Sequence, residues 1–329
     1  MNEGLYPLKF TPQFKERIWG GESLKNVLKK RVPNTIKKCG ESWEISAVQE
    51  NVSVVSNGYL AGNNLEELIE VYMGDLVGDS VYEKFGVEFP LLIKLIDAQD
   101  VLSIQVHPDD EAALKVHNAY GKTEMWYILN ANPESEIITG FNKDLRREEY
   151  LTCLSNGTFK SILNIEKPMT GDVFFIPAGR VHAIGKEILL VEVQQTSDVT
   201  YRIYDWDRVD SNNKPRELHN DLALDVIDFS AVKDAKWTKP EVLNKPVELV
   251  SCNYFTVERI TLTGLVKRDY SLLDSFVIYI CVEGDVSIEY GGSKTEHILI
   301  GETILIPAEL KNVVLKPSVK STLLEIYLK

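Results

Sequence analysis

Residues 171–182 read "GDVFFIPAGRVH" and residues 301–312 read "GETILIPAELKN". The two stretches share a glycine, an acidic residue, an apolar run and Ile-Pro-Ala in one register, offset by 130 residues. Each closes a strand-rich region, which is what duplication of a β unit leaves behind. They differ at the final position, where the first copy has His182 and the second has Asn312. If the histidine is a ligand, the second copy has lost its site.

The surrounding sequence is built from short β-type runs, among them "FPLLIKLI", "VLSIQVH", "MWYIL", "SEIITGF", "EILLVEVQQ" and "SFVIYICVEGDVSIEY". Glycine, proline, asparagine and aspartate separate them, the pattern of a sandwich or barrel. In "VLSIQVHPDDE" (101–111), Leu102, Ile104 and Val106 alternate with Ser103, Gln105 and His107. The polar face is either wet, as in half-exposed antiparallel strands, or turned toward a site. Two helical patterns interrupt the strands. Residues 63–78 space Leu65, Leu68, Ile69 and Tyr72 as a helix does, and residues 142–157 start at Asn142 as a cap and stop at Asn156-Gly157. The polar stretch 230–247 has two prolines and no period, and reads as a link between two β domains, 1–230 and 231–329.

Composition narrows the function classes. A chain of 329 residues with 44% hydrophobic and 9% aromatic residues has ample core material for two globular domains. With 36 Lys plus Arg against 49 Asp plus Glu, the formal charge is −13, which repels nucleic acid and anionic membrane. No apolar run is long enough to span a bilayer, and "MNEGLYPLKF" lacks the basic and apolar regions of a signal peptide, so a cytoplasmic protein is expected. Cys39, Cys153, Cys252 and Cys281 are scattered without metal-knuckle or redox spacing and read as thiols in a reducing compartment.

Gly171, Pro177, Gly179 and His182 have the spacing of the second motif of the cupin superfamily, jelly-roll barrels that hold one metal, although Lys186 replaces the usual asparagine. Gln105, His107 and Glu124 match the upstream ligand positions. Together "FKERIWGG", "SIQVHP", "GKTEMWYIL", "IPAGRVHAIG" and "QQTSDVTYRIYDWDR" resemble the type I mannose-6-phosphate isomerases over most of the chain, in their short bacterial form. The resemblance implies a mainly β protein of two cupin (jelly-roll) barrels with a few accessory helices. It also implies a metal set of Gln105, His107, Glu124 and His182. One carbonyl oxygen, two imidazoles and a carboxylate suit zinc, one ion per chain.

The implied reaction interconverts mannose 6-phosphate and fructose 6-phosphate through an enediol. Arg202 matches the family's catalytic arginine, and a guanidinium stabilises an enediolate without titrating. Ser103, Lys122 and Arg208 match positions associated with the substrate, and Lys122 is also a catalytic candidate. The family's histidine three residues before the glutamate is Gly121 here, so its role is not carried over. A phosphate bound by so acidic a chain needs local cations, for which Lys94, Lys122, Arg202 and Arg208 are the candidates. Lys94, within an apolar run, either points into the barrel or snorkels to the surface. The expected partner is a small sugar phosphate, on a monomer or weak homo-oligomer. Two alternatives stand: a metal-bearing cupin that binds a sugar phosphate without turnover, and a paralogue isomerising another sugar. His117, His219 and His297 read as solvated or packed, and Tyr201, Tyr204 and Trp206 as core or pocket wall.

Overall fold

The computed structural model describes residues 4–209 and 213–329. Its N-terminal part forms β1 (Gln13–Gly21), β2 (Cys39–Ile45), β3 (Leu91–Ala98), β4 (Ile104–Val106), β5 (Glu124–Ala131), β6 (Ile137–Phe141), β7 (Leu163–Glu166), β8 (Val173–Ile176), β9 (His182–Ile184), β10 (Ile188–Gln195), β11 (Tyr201–Tyr204) and β12 (Lys236–Trp237). Between them lie α1 (Ser23–Asn26), α2 (Leu65–Val77), α3 (Asp79–Phe85), α4 (Asp110–His117), α5 (Arg147–Ser155) and α6 (Asn220–Val226). One antiparallel sheet runs β1-β2-β3-β10-β5-β8-β12 and a second β11-β4-β9-β6-β7.

The C-terminal part consists of β13 (Pro246–Ser251), β14 (Thr256–Leu262), β15 (Val266–Asp269), β16 (Val277–Glu283), β17 (Asp285–Tyr290), β18 (Lys294–Leu299), β19 (Thr303–Ile306), β20 (Asn312–Pro317) and β21 (Ser321–Tyr327). These pair as β13-β14-β21-β16-β19 and β15-β20-β17-β18. The protein is thus mainly β, with two units of facing antiparallel sheets, as two jelly-roll domains require. The repeat seen in the sequence recurs in the fold. The pairs β8/β9 and β19/β20 begin at equivalent positions, and the leading glycines, Gly171 (φ 88°) and Gly301 (φ 81°), both take the left-handed conformation that an L side chain resists.

All eight residues of β3, "LLIKLIDA", are buried because the seven-stranded sheet is covered on both faces. Leu91, Ile93, Leu95, Val191 and Val193 on one face join the core shared with α2, α3 and the C-terminal unit. The opposite face lines the first barrel, where Trp126, Ile128, Phe174 and Leu190 meet Ile137 and Ile184 of the other sheet and close one end. Trp19 belongs to this plug and is 4% exposed. Ile104 and Val106 face outward from the five-stranded sheet into a cluster with residues of α5 and α6. Leu102, expected on their face, precedes the strand and packs on the interior plug instead.

Helix α2 begins at an Asn64 capping box with Glu67, ends at Gly78, and breaks locally at Met73 (φ 44°). The second expected helix is shorter than its sequence pattern. Its N-cap is Arg146, and Asn142 instead donates its amide to the Ser161 carbonyl at 2.9 Å. The stretch 230–247 is more than a link, because Lys236 and Trp237 pair with Phe174 and Val173 and extend the first sheet. Among the described residues no helix is long and apolar enough to cross a membrane, and all four cysteines are free.

Candidate metal centre and active site

Gln105, His107, Glu124 and His182 come from both sheets and meet inside the first barrel. Gln105 pairs with His182 across β4 and β9, and on its other side with Arg202 of β11. Residues paired across strands share a face, so Arg202, Gln105 and His182 form one row, which Thr139 of β6 extends. Glu124 opens β5 in the facing sheet, beside Gln194. His107 follows β4 and is held at its backbone carbonyl by the Gly179 amide at 2.9 Å.

The hydrogen bonds define which atoms converge. His107 Nδ1 lies 3.0 Å from the Val199 carbonyl and His182 Nδ1 lies 2.8 Å from the Arg180 carbonyl. A carbonyl only accepts, so both rings carry their proton on Nδ1 and present a bare Nε2 to the interior. Each Nε2 is 3.5 Å from an oxygen of Glu124. His107 Nε2 and both Glu124 oxygens are buried with no hydrogen-bond partner. The Gln105 amide reaches His182 Nε2 at 3.2 Å.

Three acceptor groups therefore face one another with too few donors between them. Burial is the first cause of each pKa shift here. It takes His107 well below the ordinary imidazole value and His182 to about 4, while burial and then the charge of Glu192 push Glu124 up to about 8. Two neutral imidazoles and a buried carboxyl group that no donor hydrogen-bonds, all ligating atoms within 4.8 Å of one another, fit a cation. The second barrel has no such arrangement at the matching position, since Asn312 is exposed and pairs with Asp269. Its interior instead holds an Arg268–Glu325 ion pair at 2.5 Å, beside Tyr270.

The cationic candidates occupy different surroundings. Lys122 is buried with Nζ 3.8 Å from Glu124, and burial followed by the Lys94 charge lowers its pKa. Lys94 points inward, at 6% exposure, so it does not snorkel; its ammonium meets Glu192 at 3.0 Å and Gln194 at 2.6 Å. Arg202 donates Nη1 to the Glu217 carbonyl at 2.8 Å, and its buried Nε has no partner. Arg208 binds the Asp205 carboxylate at 2.6 Å and the Val101 carbonyl at 2.6 Å. Ser103 is buried with Oγ 3.5 Å from Gln105 Oε1. His117 donates to or accepts from Tyr201 Oη at 2.9 Å, His219 Nδ1 accepts the Arg202 amide at 3.1 Å, and His297 contacts Ser287 at 2.9 Å.

Sequence reading missed the acids that neutralise the interior lysines. Glu192 sits opposite Lys94 in register and also accepts the Trp126 indole N–H at 2.9 Å. Glu41 receives the indole of Trp43 at 2.6 Å and Arg17 at 2.8 Å. The available signal was a lone acid in the apolar run "ILLVEV", the counterpart of Lys94 in "LLIKLI". Thr139, in the row of His182, has a buried hydroxyl without a partner and was likewise passed over.

Comparison with known proteins gives a consistent set of relatives. Residues 7–150 match the family described as "Phosphomannose isomerase type I, catalytic domain", and residues 246–323 match "Mannose-6-phosphate isomerase, cupin domain". The mannose-6-phosphate isomerase ManA of Bacillus subtilis is 38% identical over 305 residues, covering 89% of this chain and 92% of that protein. A mannose-6-phosphate isomerase of Streptococcus mutans is 37% identical over 303 residues, 91% of this chain and 93% of that protein. The crystal structure of the mannose 6-phosphate isomerase from Bacillus subtilis superposes with a TM-score of 0.85 at 33% identity, over 98% of this chain and 99% of that one.

Proposed function

This chain belongs to the type I phosphomannose isomerase family, and on that premise we propose that it interconverts mannose 6-phosphate and fructose 6-phosphate as a zinc-dependent aldose–ketose isomerase. The observation that carries the reading is the convergence, inside the first barrel, of the unprotonated Nε2 atoms of His107 and His182 on a Glu124 carboxyl group that no donor hydrogen-bonds. His107 and His182 through Nε2 and Glu124 through its carboxylate would hold one zinc ion, joined by Gln105 once its amide, whose nitrogen here faces His182, turns its carbonyl oxygen inward. When bound, the ion supplies a Lewis acid that polarises the sugar oxygens at C1 and C2.

The chain's own groups do the rest. Arg202 leaves its strand on the face of Gln105, and its Nε donor is free to meet the negative charge that develops on the carbonyl oxygen, O1 of the aldose or O2 of the ketose, in an enediol path. A guanidinium keeps its charge at working pH, so this stabilisation is strongest where the oxygen charge is largest. Lys122 presents its ammonium beside Glu124 and donates to the sugar oxygens from the other sheet. Ser103 and Arg208 are the residues we assign to the phosphate; Arg208 Nη1 binds the carbonyl of Val101, two residues before Ser103, which supports their acting on the same group. Lys94 has two donors committed to Glu192 and Gln194, so it sets the charge of the barrel floor rather than gripping phosphate.

Metal depletion and reconstitution test this reading. Purified protein is expected to carry one metal per chain, to lose isomerisation of mannose 6-phosphate on chelation and to regain it with zinc. His107→Ala and His182→Ala are each expected to abolish stoichiometric binding. Two metals per chain, or full occupancy in His182→Ala, would contradict the ligand assignment. Binding of the sugar phosphate without ketose formation would favour a binding protein.

A further inference from the structure

Asp110, the first residue of α4, stands three residues after His107 and makes three hydrogen bonds outside the barrel cavity. Its Oδ1 accepts the Gly121 amide at 2.8 Å and the Gln195 side-chain amide at 2.8 Å. Its Oδ2 accepts the hydroxyl of Tyr254, a residue of the C-terminal unit, at 3.0 Å. Gln195 continues the chain inward. Its Oε1 accepts the Thr123 amide at 2.9 Å, and its own amide donates to the Thr123 carbonyl at 3.2 Å. Alongside, the Lys122 amide donates to the Pro108 carbonyl at 3.1 Å.

One carboxylate thereby joins the turn after His107, the segment that leads into Glu124, the end of β10 and the second barrel. The sequence accommodates this convergence at Gly121. A Cβ there would lie 2.6 Å from the Asp109 carbonyl carbon and 2.6 Å from the Asp110 amide nitrogen, so any side chain would force the two segments apart. Burial and the Asp110 charge push the Tyr254 phenol up to about 12, which keeps it a donor.

We propose that Asp110 is a positioning residue for His107 and Glu124, and that the C-terminal barrel supports the site of the first through the Tyr254–Asp110 hydrogen bond. The inference rests on reading His107, Glu124 and His182 as a metal centre. Ligands whose backbone segments are tied to a common partner keep their spacing when the metal leaves, so removal of the tie shows as weaker metal binding and altered ligand field. The second barrel, which lacks an equivalent cluster among its described residues, thereby has a role in the centre of the first.

The test uses the full chain freed of metal and titrated with cobalt(II) alone, with the visible absorption of the ion as the readout. In Asp110→Ala the cobalt dissociation constant is expected to rise about 10–100-fold, with a shifted band. Asp110→Asn, which keeps an acceptor oxygen for the Gly121 amide, is expected to recover part of that loss. Tyr254→Phe removes one neutral donor and is expected to weaken binding roughly three- to tenfold. Wild-type affinity and spectrum in both Asp110→Ala and Tyr254→Phe, whatever their thermal stability, would overturn the inference. If Asp110→Ala does not fold, Tyr254→Phe decides. Absence of a stoichiometric cobalt spectrum in the wild type, or its persistence in His182→Ala, would overturn the metal reading itself and the inference with it.

Discussion

Lys94 and Glu192 face each other on neighbouring antiparallel strands in the middle of the barrel floor, with Nζ 3.0 Å from Oε1 and both side chains buried. Two ions removed from water are tolerated here because each is further satisfied, Lys94 by Gln194 and Glu192 by the Trp126 indole.

Breaking that pair from one side leaves a buried carboxylate without its cation. Lys94→Met is expected to destabilise the fold by about 3–5 kcal/mol, and the double change Lys94→Met with Glu192→Gln to restore much of it. Urea denaturation of the three proteins measures this. A single variant as stable as the wild type would show that the pair contributes little.

Glu41 couples the same interior to pH. Burial alone would raise its carboxyl, but Lys94, Arg17 and hydrogen bonds from Arg17 and Trp43 outweigh that and hold it below the usual 4.5. A folded value below the unfolded one adds stability that is complete above pH 4.5 and disappears as pH falls through the folded value. Glu41→Gln is therefore expected to be less stable than wild type at neutral pH, with the gap narrowing on acidification below about pH 4.5. Parallel stability curves from pH 7 to pH 3 would remove Glu41 from this role.

Substrate contacts separate from metal contacts by kinetics. Lys122→Ala removes a buried ammonium beside the cluster, and kcat/KM is expected to fall roughly ten- to a hundredfold with one metal per chain retained. Arg208→Ala leaves Asp205 still paired to Arg216 at 2.5 Å, so the fold is expected to survive and a rise in KM would report the proposed contact of Arg208 with the phosphate. Kinetics unchanged by either substitution would take that residue out of the substrate site.

Much of this architecture was legible because it is local. The Ile-Pro-Ala repeat fell on matching strand pairs since a left-handed glycine and a proline punctuate each copy at the same step. The alternation of Ser103 and Gln105 with Ile104 and Val106 located the inward face, because strand periodicity survives any sheet packing. What failed depended on distant partners. Asn142 has the chemistry of a helix cap, but the helix is capped at Arg146 instead and the Asn142 amide finds the Ser161 and Leu163 carbonyls across a neighbouring segment. Lys236–Trp237 is a strand only by pairing with β8, and two residues carry no period. Glu192 gains meaning from Lys94 opposite it, a register that no single stretch of sequence displays. The Tyr254–Asp110 bond joins residues 144 positions apart and left no local trace at all.

The isomerase reading is tested most directly by incubating the zinc-loaded protein with mannose 6-phosphate in deuterium oxide and following the sugar by NMR. An enediol path breaks the C2–H bond and returns a proton to C1 from a group in contact with solvent. The expected result is fructose 6-phosphate with at least partial deuterium at C1. Chelation should abolish the reaction, and Arg202→Ala, with metal and fold retained, should slow it by several orders of magnitude. Bound sugar phosphate with no ketose would contradict the assignment of an isomerase, and ketose without any deuterium would contradict the exchanging enediol path.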